Sequence, residues 1–323
     1  MRPRPFADPV RIATNGITLE VHLAGPRTGQ PIVLCHGFPE LAYSWRHQIE
    51  ALAAAGYFVI APNQRGYAGS DKPADVLAYD IHHLTADLTG LLDHFGIHKA
   101  VFCGHDWGGL IVWQVPLLHP SRVAGIIGVG VPFLPRAAED PIVTFRRTFG
   151  DRMYIVNFQA SREADEVFGA DPERVFNVLM RKSTAKLEDF IKLSPEDRVP
   201  DLVRRIKAGP DNGKLLISPE ELAVYTRAFA ASGFTGPINW YRNWSRNWST
   251  TAEVSQQIHV PCLFIKAGND HATAVIPDIE KLMTGFVHDI ESCEVPAAGH
   301  WVQQEYPGEV NAFMLDWLKR RFR

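Results

Sequence analysis

The chain has 323 residues, 46 % of them hydrophobic and 21 % charged, with a formal net charge of −3. That length is more than a single core usually fills, so one large domain carrying an insertion, or two domains, is expected. The near-neutral charge excludes a phosphate-tracking surface, and with it nucleic acid as a partner.

The start, MRPRPFADPVRIATNG (1–16), carries basic residues but no apolar segment, so neither a signal peptide nor a transit sequence is expected. ITLEVHL (17–23) alternates apolar with polar and predicts a half-buried strand, and GPRTGQP (25–31) supplies turn residues. IVLC (32–35) is continuously apolar, and SWRHQIEALAAAG (44–56) has helical spacing and stops at Gly56. YFVIA (57–61), the loop PNQRGYAGSDKP (62–73) and a helical pattern from Tyr79 to Phe95 follow. AVFC (100–103), a helix over 107–118 and VAGIIGVG (123–130) continue the alternation. Fully apolar strands separated by helices predict a mostly parallel sheet covered on both faces.

After Pro132 the rhythm changes. From 135 to 249 the sequence offers helical patterns and no convincing strand, most clearly in ADPERVFNVLMRKS (170–183), PEELAVYTRAFAASG (219–233) and GPINWYRNWSRNW (236–248). Strands resume at CLFIKAG (262–268) and DIESCEV (289–295), with helices near 276–284 and over 307–320. The expected organisation is an α/β core of residues 1–134 and 250–323 interrupted by a helical cap over 135–249, with the pocket between them. The longest apolar run, VAGIIGVGVPFL (123–134), is too short and glycine-rich to span a bilayer, so no membrane insertion is expected. Cys35, Cys103, Cys262 and Cys293 lie in or beside apolar runs with no C-x-x-C spacing, which predicts free thiols in a reducing, cytoplasmic setting. Oligomeric state is open, and a homodimer is one arrangement the sequence permits.

Loops at the carboxyl ends of predicted strands hold the reactive residues: HGFPE (36–40), GHDWGG (104–109), GNDHA (268–272) and AGHW (298–301). Ligands of open α/β sheets bind at those ends. GHDWGG stands where a strand-to-helix hydrolase turn would carry G-x-S-x-G, and the chain order Asp106, Asp270, His300 is the nucleophile, acid, histidine order of that class. Each residue alone has a plainer reading. Asp106 could cap a helix, Asp270 could serve a turn beside Gly268 and Asn269, and His300 could sit on a surface loop. A metal at GHD or at His82 and His83 lacks a third ligand at zinc spacing, and no cofactor is implied.

HGFPELAYSW, GHDWGG, NWYRNW and GHW make the chain resemble the α/β-hydrolase epoxide hydrolases, in particular the epoxide hydrolase domain of the soluble vertebrate enzyme, from about Ile17 to Leu318. The resemblance implies a small-molecule epoxide and water as substrates, Asp106 as nucleophile and His300, oriented by Asp270, as the base. It implies an oxyanion hole from the backbone N–H groups of Phe38 and Trp107, and proton donation by two cap tyrosines, for which Tyr154 and Tyr241 fit. Phe38, Trp107, Tyr154 and Tyr241 would then also contact substrate. Tyr225, in ELAVYTRAF, could replace Tyr154, but its apolar helical spacing reads as packing. Trp240, Trp244 and Trp248 recur every fourth residue and predict one helix face in the cap interior.

An aspartate suits this chemistry. A serine opening an epoxide would leave an ether that water could not readily cleave, whereas a carboxylate leaves a hydrolysable ester and, at a reference pKa of about 3.9, is already ionised at neutral pH. An unperturbed imidazole, pKa about 6.5, would be mostly neutral and fit to activate water. A phenol of pKa about 10 protonating an alkoxide of about 16 gains about 8 kcal/mol. The alternatives are a haloalkane dehalogenase of the same fold, where Phe38 replaces the polar residue expected after HG and the paired tyrosines point to an oxygen leaving group, and a non-catalytic ligand receptor. A fluoroacetate-type dehalogenase would carry arginine at Trp107, and an esterase would keep the serine.

Overall fold

A computed structural model describes residues 8–182, 187–211, 213–273, 276 and 278–322. Eight strands form one sheet: β1 (Val10–Thr14), β2 (Ile17–Ala24), β3 (Pro31–Cys35), β4 (Phe58–Asn63), β5 (Ala100–His105), β6 (Val123–Val129), β7 (Cys262–Ala267) and β8 (Ile290–Val295). Their order is β1-β2-β4-β3-β5-β6-β7-β8, antiparallel through β1, β2 and β4 and parallel from β4 to β8. The continuously apolar strands are the central ones. Every residue of β4 and β5 is buried, because helices cover both faces and no side of the pleat meets water.

On one face, Trp45, Leu52, Trp317 and Leu318 pack over Ile32, Val59, Val101 and Ile127. On the other, Leu84, Leu88, Leu91, Ile111 and Val115 pack over Val33, Ile60 and Phe102. Each such aliphatic side chain contributes about 1.5–3 kcal/mol when fully buried. The flanking helices are α1 (Arg46–Ala54), α2 (Ile81–His94) and α3 (Trp107–Leu118). The pattern that began at Tyr79 starts as helix only at Ile81, because the Asp80 side chain accepts from the His83 N–H and caps it there; residues 76–79 form a tighter turn.

Between β6 and β7 the described residues hold ten helices: α4 (Pro141–Phe149), α5 (Tyr154–Ala160), α6 (Glu163–Ala170), α7 (Pro172–Leu179), α8 (Leu187–Phe190), α9 (Pro195–Arg198), α10 (Leu202–Ala208), α11 (Pro219–Ser232), α12 (Thr235–Arg242) and α13 (Trp244–Thr250). Then come α14 (Ile279–Thr284), α15 (Val302–Glu305) and α16 (Pro307–Arg321). Ser183, at the end of one predicted helix, residue 277 within another, and the first seven residues lie outside the described residues.

Two features depart from expectation. β1 was not anticipated; it pairs with β2 through Asn15-Gly16, both at positive φ (43° and 76°), the conformation that a tight hairpin turn requires and this dipeptide favours. The tryptophan stripe is not one helix face. The helix is interrupted at Asn243, whose side-chain amide donates to Val76 O at 2.7 Å and Asn239 O at 2.9 Å, so Trp240 belongs to α12 and Trp244 and Trp248 to α13. Trp240 is fully buried and donates to Arg65 O at 3.0 Å, Trp244 packs on Trp107 and Phe145, and Trp248 lies under the Arg136 guanidinium.

Candidate active site

At the end of β5 the chain reverses into α3 through Asp106, held at φ 52° and ψ −123°, where non-glycine residues are rarely found. The glycines around it are demanded by contact. A Cβ on Gly104 would stand 2.2 Å from Gly108 O, one on Gly108 2.1 Å from Cys35 O, and one on Gly37 2.4 Å from the Asp106 Cβ. Asp106 occupies the N-cap position of α3, yet its side chain makes no capping bond. Instead Oδ1 accepts from the Phe38 N–H at 2.7 Å, and the Trp107 N–H also hydrogen-bonds the carboxylate. The helix-cap reading therefore fails, and the side chain turns toward the loops.

His300 follows β8. Its Nε2 stands 3.7 Å from Asp106 Oδ2, and its Nδ1 stands 3.2 Å from Asp270 Oδ2. Asp270 divides its oxygens: Oδ1 accepts from the Ala272 N–H at 3.0 Å, which closes the turn after β7, while Oδ2 faces the imidazole. Burial pulls the His300 pKa down, but the Asp270 charge and hydrogen bond, then the Asp106 and Glu40 charges, carry it up to about 9. The resting imidazole is thus protonated at neutral pH, unlike the free side chain assumed from sequence. Burial alone would raise Asp270; the same ion pair holds it below the usual carboxylate range. Asp106 is raised by burial, opposed by His300, His105 and its two N–H donors.

Tyr154 begins α5 and Tyr241 lies in the last turn of α12, their ring centroids 5.7 Å apart. Tyr241 is edge-on to Phe38 (5.2 Å), Trp107 (5.1 Å) and Phe158 (5.2 Å), and its hydroxyl interacts with the Trp107 side chain. Both phenols are pushed up, first by burial; Tyr241 next by its neighbour Tyr154, and both by the Asp106 charge. All seven residues singled out from sequence thus converge on one region. Tyr225 does not: its ring packs on Tyr43 and Phe176 and its hydroxyl donates to Gln304 Oε1 at 3.3 Å.

Behind this region lies a group the sequence did not disclose. Glu40, fully buried, takes Gly37 N–H (3.1 Å) and His105 Nδ1 (2.9 Å) on one oxygen and the amides of Gln303 (3.1 Å) and Gln304 (3.0 Å) on the other. Burial would raise its pKa, but His105 and Gly37 bring it below the ordinary value. The other nitrogen of His105 meets His300 O at 2.7 Å. HGFPE contains Glu40, but partners spread over nearly the whole chain leave no local signature. Among the described residues no group of three or more His, Cys, Asp or Glu is placed to hold a metal ion, and no helix is long and apolar enough to cross a membrane.

A strand-to-helix elbow bearing a carboxylate, with an acid and a histidine on later strand ends, defines the α/β-hydrolase class, and residues 30–307 match the family model for the alpha/beta hydrolase fold. Epoxide hydrolase A of Mycobacterium tuberculosis is 44 % identical over 95 % of this chain and 96 % of its own length. The bifunctional epoxide hydrolase 2 of Rattus norvegicus is 33 % identical over 93 % of this chain, which spans 54 % of that protein. The crystal structure of epoxide hydrolase A from Mycobacterium thermoresistibile superposes with a TM-score of 0.83 at 40 % identity, covering 97 % of this chain and 98 % of that one. Within the α/β-hydrolase fold, the chain belongs to the epoxide hydrolases.

Proposed function

We propose that the enzyme converts epoxides and water to vicinal diols through a covalent ester on Asp106. The observation that carries this reading is the convergence on one carboxylate of a backbone N–H donor, an imidazole, a buried phenol and a half-buried one. Asp106 attacks a ring carbon, the C–O bond breaks, and Tyr154 or Tyr241 protonates the leaving alkoxide. As the ester forms, the Asp106 charge that had raised both phenols is gone, so they become stronger acids at the moment the alkoxide appears. Loss of the same charge lowers His300, which passes its proton through solvent to the phenolate and becomes neutral.

His300 then takes a proton from a water whose oxygen attacks the ester carbon. Negative charge on the Asp106 oxygen meets the N–H groups of Phe38 and Trp107, which already stand on that carboxylate. Collapse expels the diol alkoxide, which takes the proton of the newly formed carboxylic acid. Asp106 is again ionised and His300 again an imidazolium, so the cycle closes with no proton left over. The phenols favour this reading over dehalogenation, since a leaving halide needs no proton. The helical segment 135–249 acts as a cap supplying both phenols and aromatic walls to the core of 1–134 and 250–323. Four free thiols, three of them buried, support a reducing cytoplasmic compartment.

A single turnover in heavy-oxygen water should place label in Asp106 and none in the first diol. His300→Gln should accumulate an adduct heavier than the protein by the mass of the epoxide. Epoxide binding to that variant without an adduct would overturn the covalent scheme.

A further inference from the structure

Arg46 lies in the seam between core and cap. Its Nε donates to Glu221 Oε1 of α11 at 2.7 Å, and its Nη1 donates to Gln304 Oε1 at 2.8 Å. Glu221 is itself fixed, its other oxygen accepting from the Ser218 N–H at 2.8 Å in a reciprocal cap of α11. The Gln304 oxygen also receives the Tyr225 hydroxyl, from the same helix, while the Gln304 nitrogen donates to Glu40 Oε1 at 3.0 Å. This orientation is the one the charges dictate. Reversed, the amide would set NH2 against a guanidinium and oxygen against a carboxylate.

Glu40 in turn holds the Gly37 N–H, one residue before the Phe38 N–H that donates to Asp106, and reaches the His300 backbone through His105. A continuous hydrogen-bonded path thus runs from the start of a cap helix to the oxyanion turn and the histidine loop. Gln304 is the one side chain on it that touches both the cap-side donors and the buried carboxylate.

We propose that Gln304 is a positioning residue that couples docking of α11, through Arg46 and Tyr225, to the oxyanion turn. With α11 seated, the amide is pinned and Glu40 keeps all its donors; with α11 lifted, Tyr225 leaves the amide and Arg46 loses the Glu221 anchor that holds it there, so the amide is freed and the Glu40 carboxylate loses one donor. The inference rests on the covalent reading above, because the oxyanion turn matters most when the Asp106 ester is hydrolysed.

The test is single-turnover kinetics with enzyme in excess over stilbene oxide, following ester formation and decay by rapid quench and intact mass. Gln304→Met should slow ester hydrolysis about tenfold, equivalent to ~1.4 kcal/mol, and slow alkylation less, so that ester accumulates. Arg46→Met should act in the same direction, and the double variant should be no slower than Gln304→Met alone. Circular dichroism and thermal melting identify folded variants, and if Gln304→Met does not fold, Arg46→Met carries the test. A folded variant that hydrolyses the ester at the wild-type rate, or losses that simply multiply in the double variant, overturns the coupling and leaves the covalent reading standing. Failure of that reading looks different: no ester in His300→Gln, and the coupling falls with it.

Discussion

The charge on His300 should change within one turnover, and the change can be sized. Burial lowers its pKa, but its two carboxylate neighbours carry it to about 9 in the resting enzyme. Against an ordinary value near 6.5 this is about 3 kcal/mol in favour of the imidazolium, at ~1.4 kcal/mol per unit. Esterification removes the Asp106 charge, whose oxygen stands 3.7 Å from Nε2. Unit charges 4 Å apart at an effective dielectric of about 20 interact by about 4 kcal/mol. His300 is 29 % exposed, so half of that, about 2 kcal/mol, is a fair lower figure, enough to bring the pKa below about 8; the full value brings it to about 6. The resting titration is read from the imidazole carbon-bound proton by NMR, and the working base from the pH dependence of ester decay in single turnovers. The first should fall near 9 and the second between about 6 and about 8, with Asp270→Asn lowering the first most strongly. Coincident values, or a resting imidazole already neutral at pH 7, would mean that the Asp106 charge does not hold the proton on His300.

Stability carries the same signature. A pKa raised in the folded state adds stability that is fully present below about 6.5 and is lost as pH rises through about 9, so urea midpoints of the wild type should fall across that window while those of His300→Gln stay flatter. Tyr241→Phe should slow alkylation roughly 10²-fold, the usual contribution of a general acid, and leave ester decay near its original rate in the same single-turnover assay. Gly104→Ala must push its new methyl into Gly108 O, a backbone atom, and should prevent a cooperative thermal transition. Asp87→Ala strands the buried Arg65, which it meets at 2.6 Å, and should cost about 3–5 kcal/mol in urea denaturation. Glu291→Ala, at the surface beside Arg320, should cost less than about 1 kcal/mol.

The parallel strands were legible because burial on both faces leaves unbroken apolar runs, and their predicted ends fall within a residue or two of β3 to β8. β1 was not, since VRIAT is an edge strand with Val10 exposed and its only local signal is the Asn-Gly turn that follows. The break between α12 and α13 was hidden for the opposite reason. Tryptophans at every fourth position continue a helical pattern across Asn243, and the Asn243 side chain at the junction is bonded to Val76, more than 160 residues earlier. Asp106 and Asp270 stood out because close backbone approach demands glycine beside them, at 104, 108 and 268, and glycine is visible in a sequence; His300 stood out by its place in the chain order. Glu40 needed partners from 37, 105, 303 and 304, and the proton on His300 is a sum over charges placed by the fold, so neither could be read along the chain.

In the proposed scheme the two half-reactions draw on different parts of the molecule. Asp106, Asp270 and His300 sit on turns after β5, β7 and β8, fixed by the sheet, whereas Tyr154 and Tyr241 hang from α5 and α12, Tyr241 edge-on to Phe38 and Trp107 and Tyr154 edge-on to Phe158 and Tyr241. Ring contacts of this kind are worth about 0.5–1.5 kcal/mol each beyond their area and fix orientation loosely, although α12 is also tied to the core by the Trp240 and Asn243 hydrogen bonds to Arg65 O and Val76 O. A substitution that shifts α5 or α12 should therefore change which epoxide carbon is opened and how fast, and leave ester hydrolysis to the sheet-borne residues. A cap substitution that slows both steps equally has to act through a stiffer connection. The described contacts offer one in the charged path from Glu221 through Arg46 and Gln304 to Glu40, where charge-assisted bonds replace ring edges.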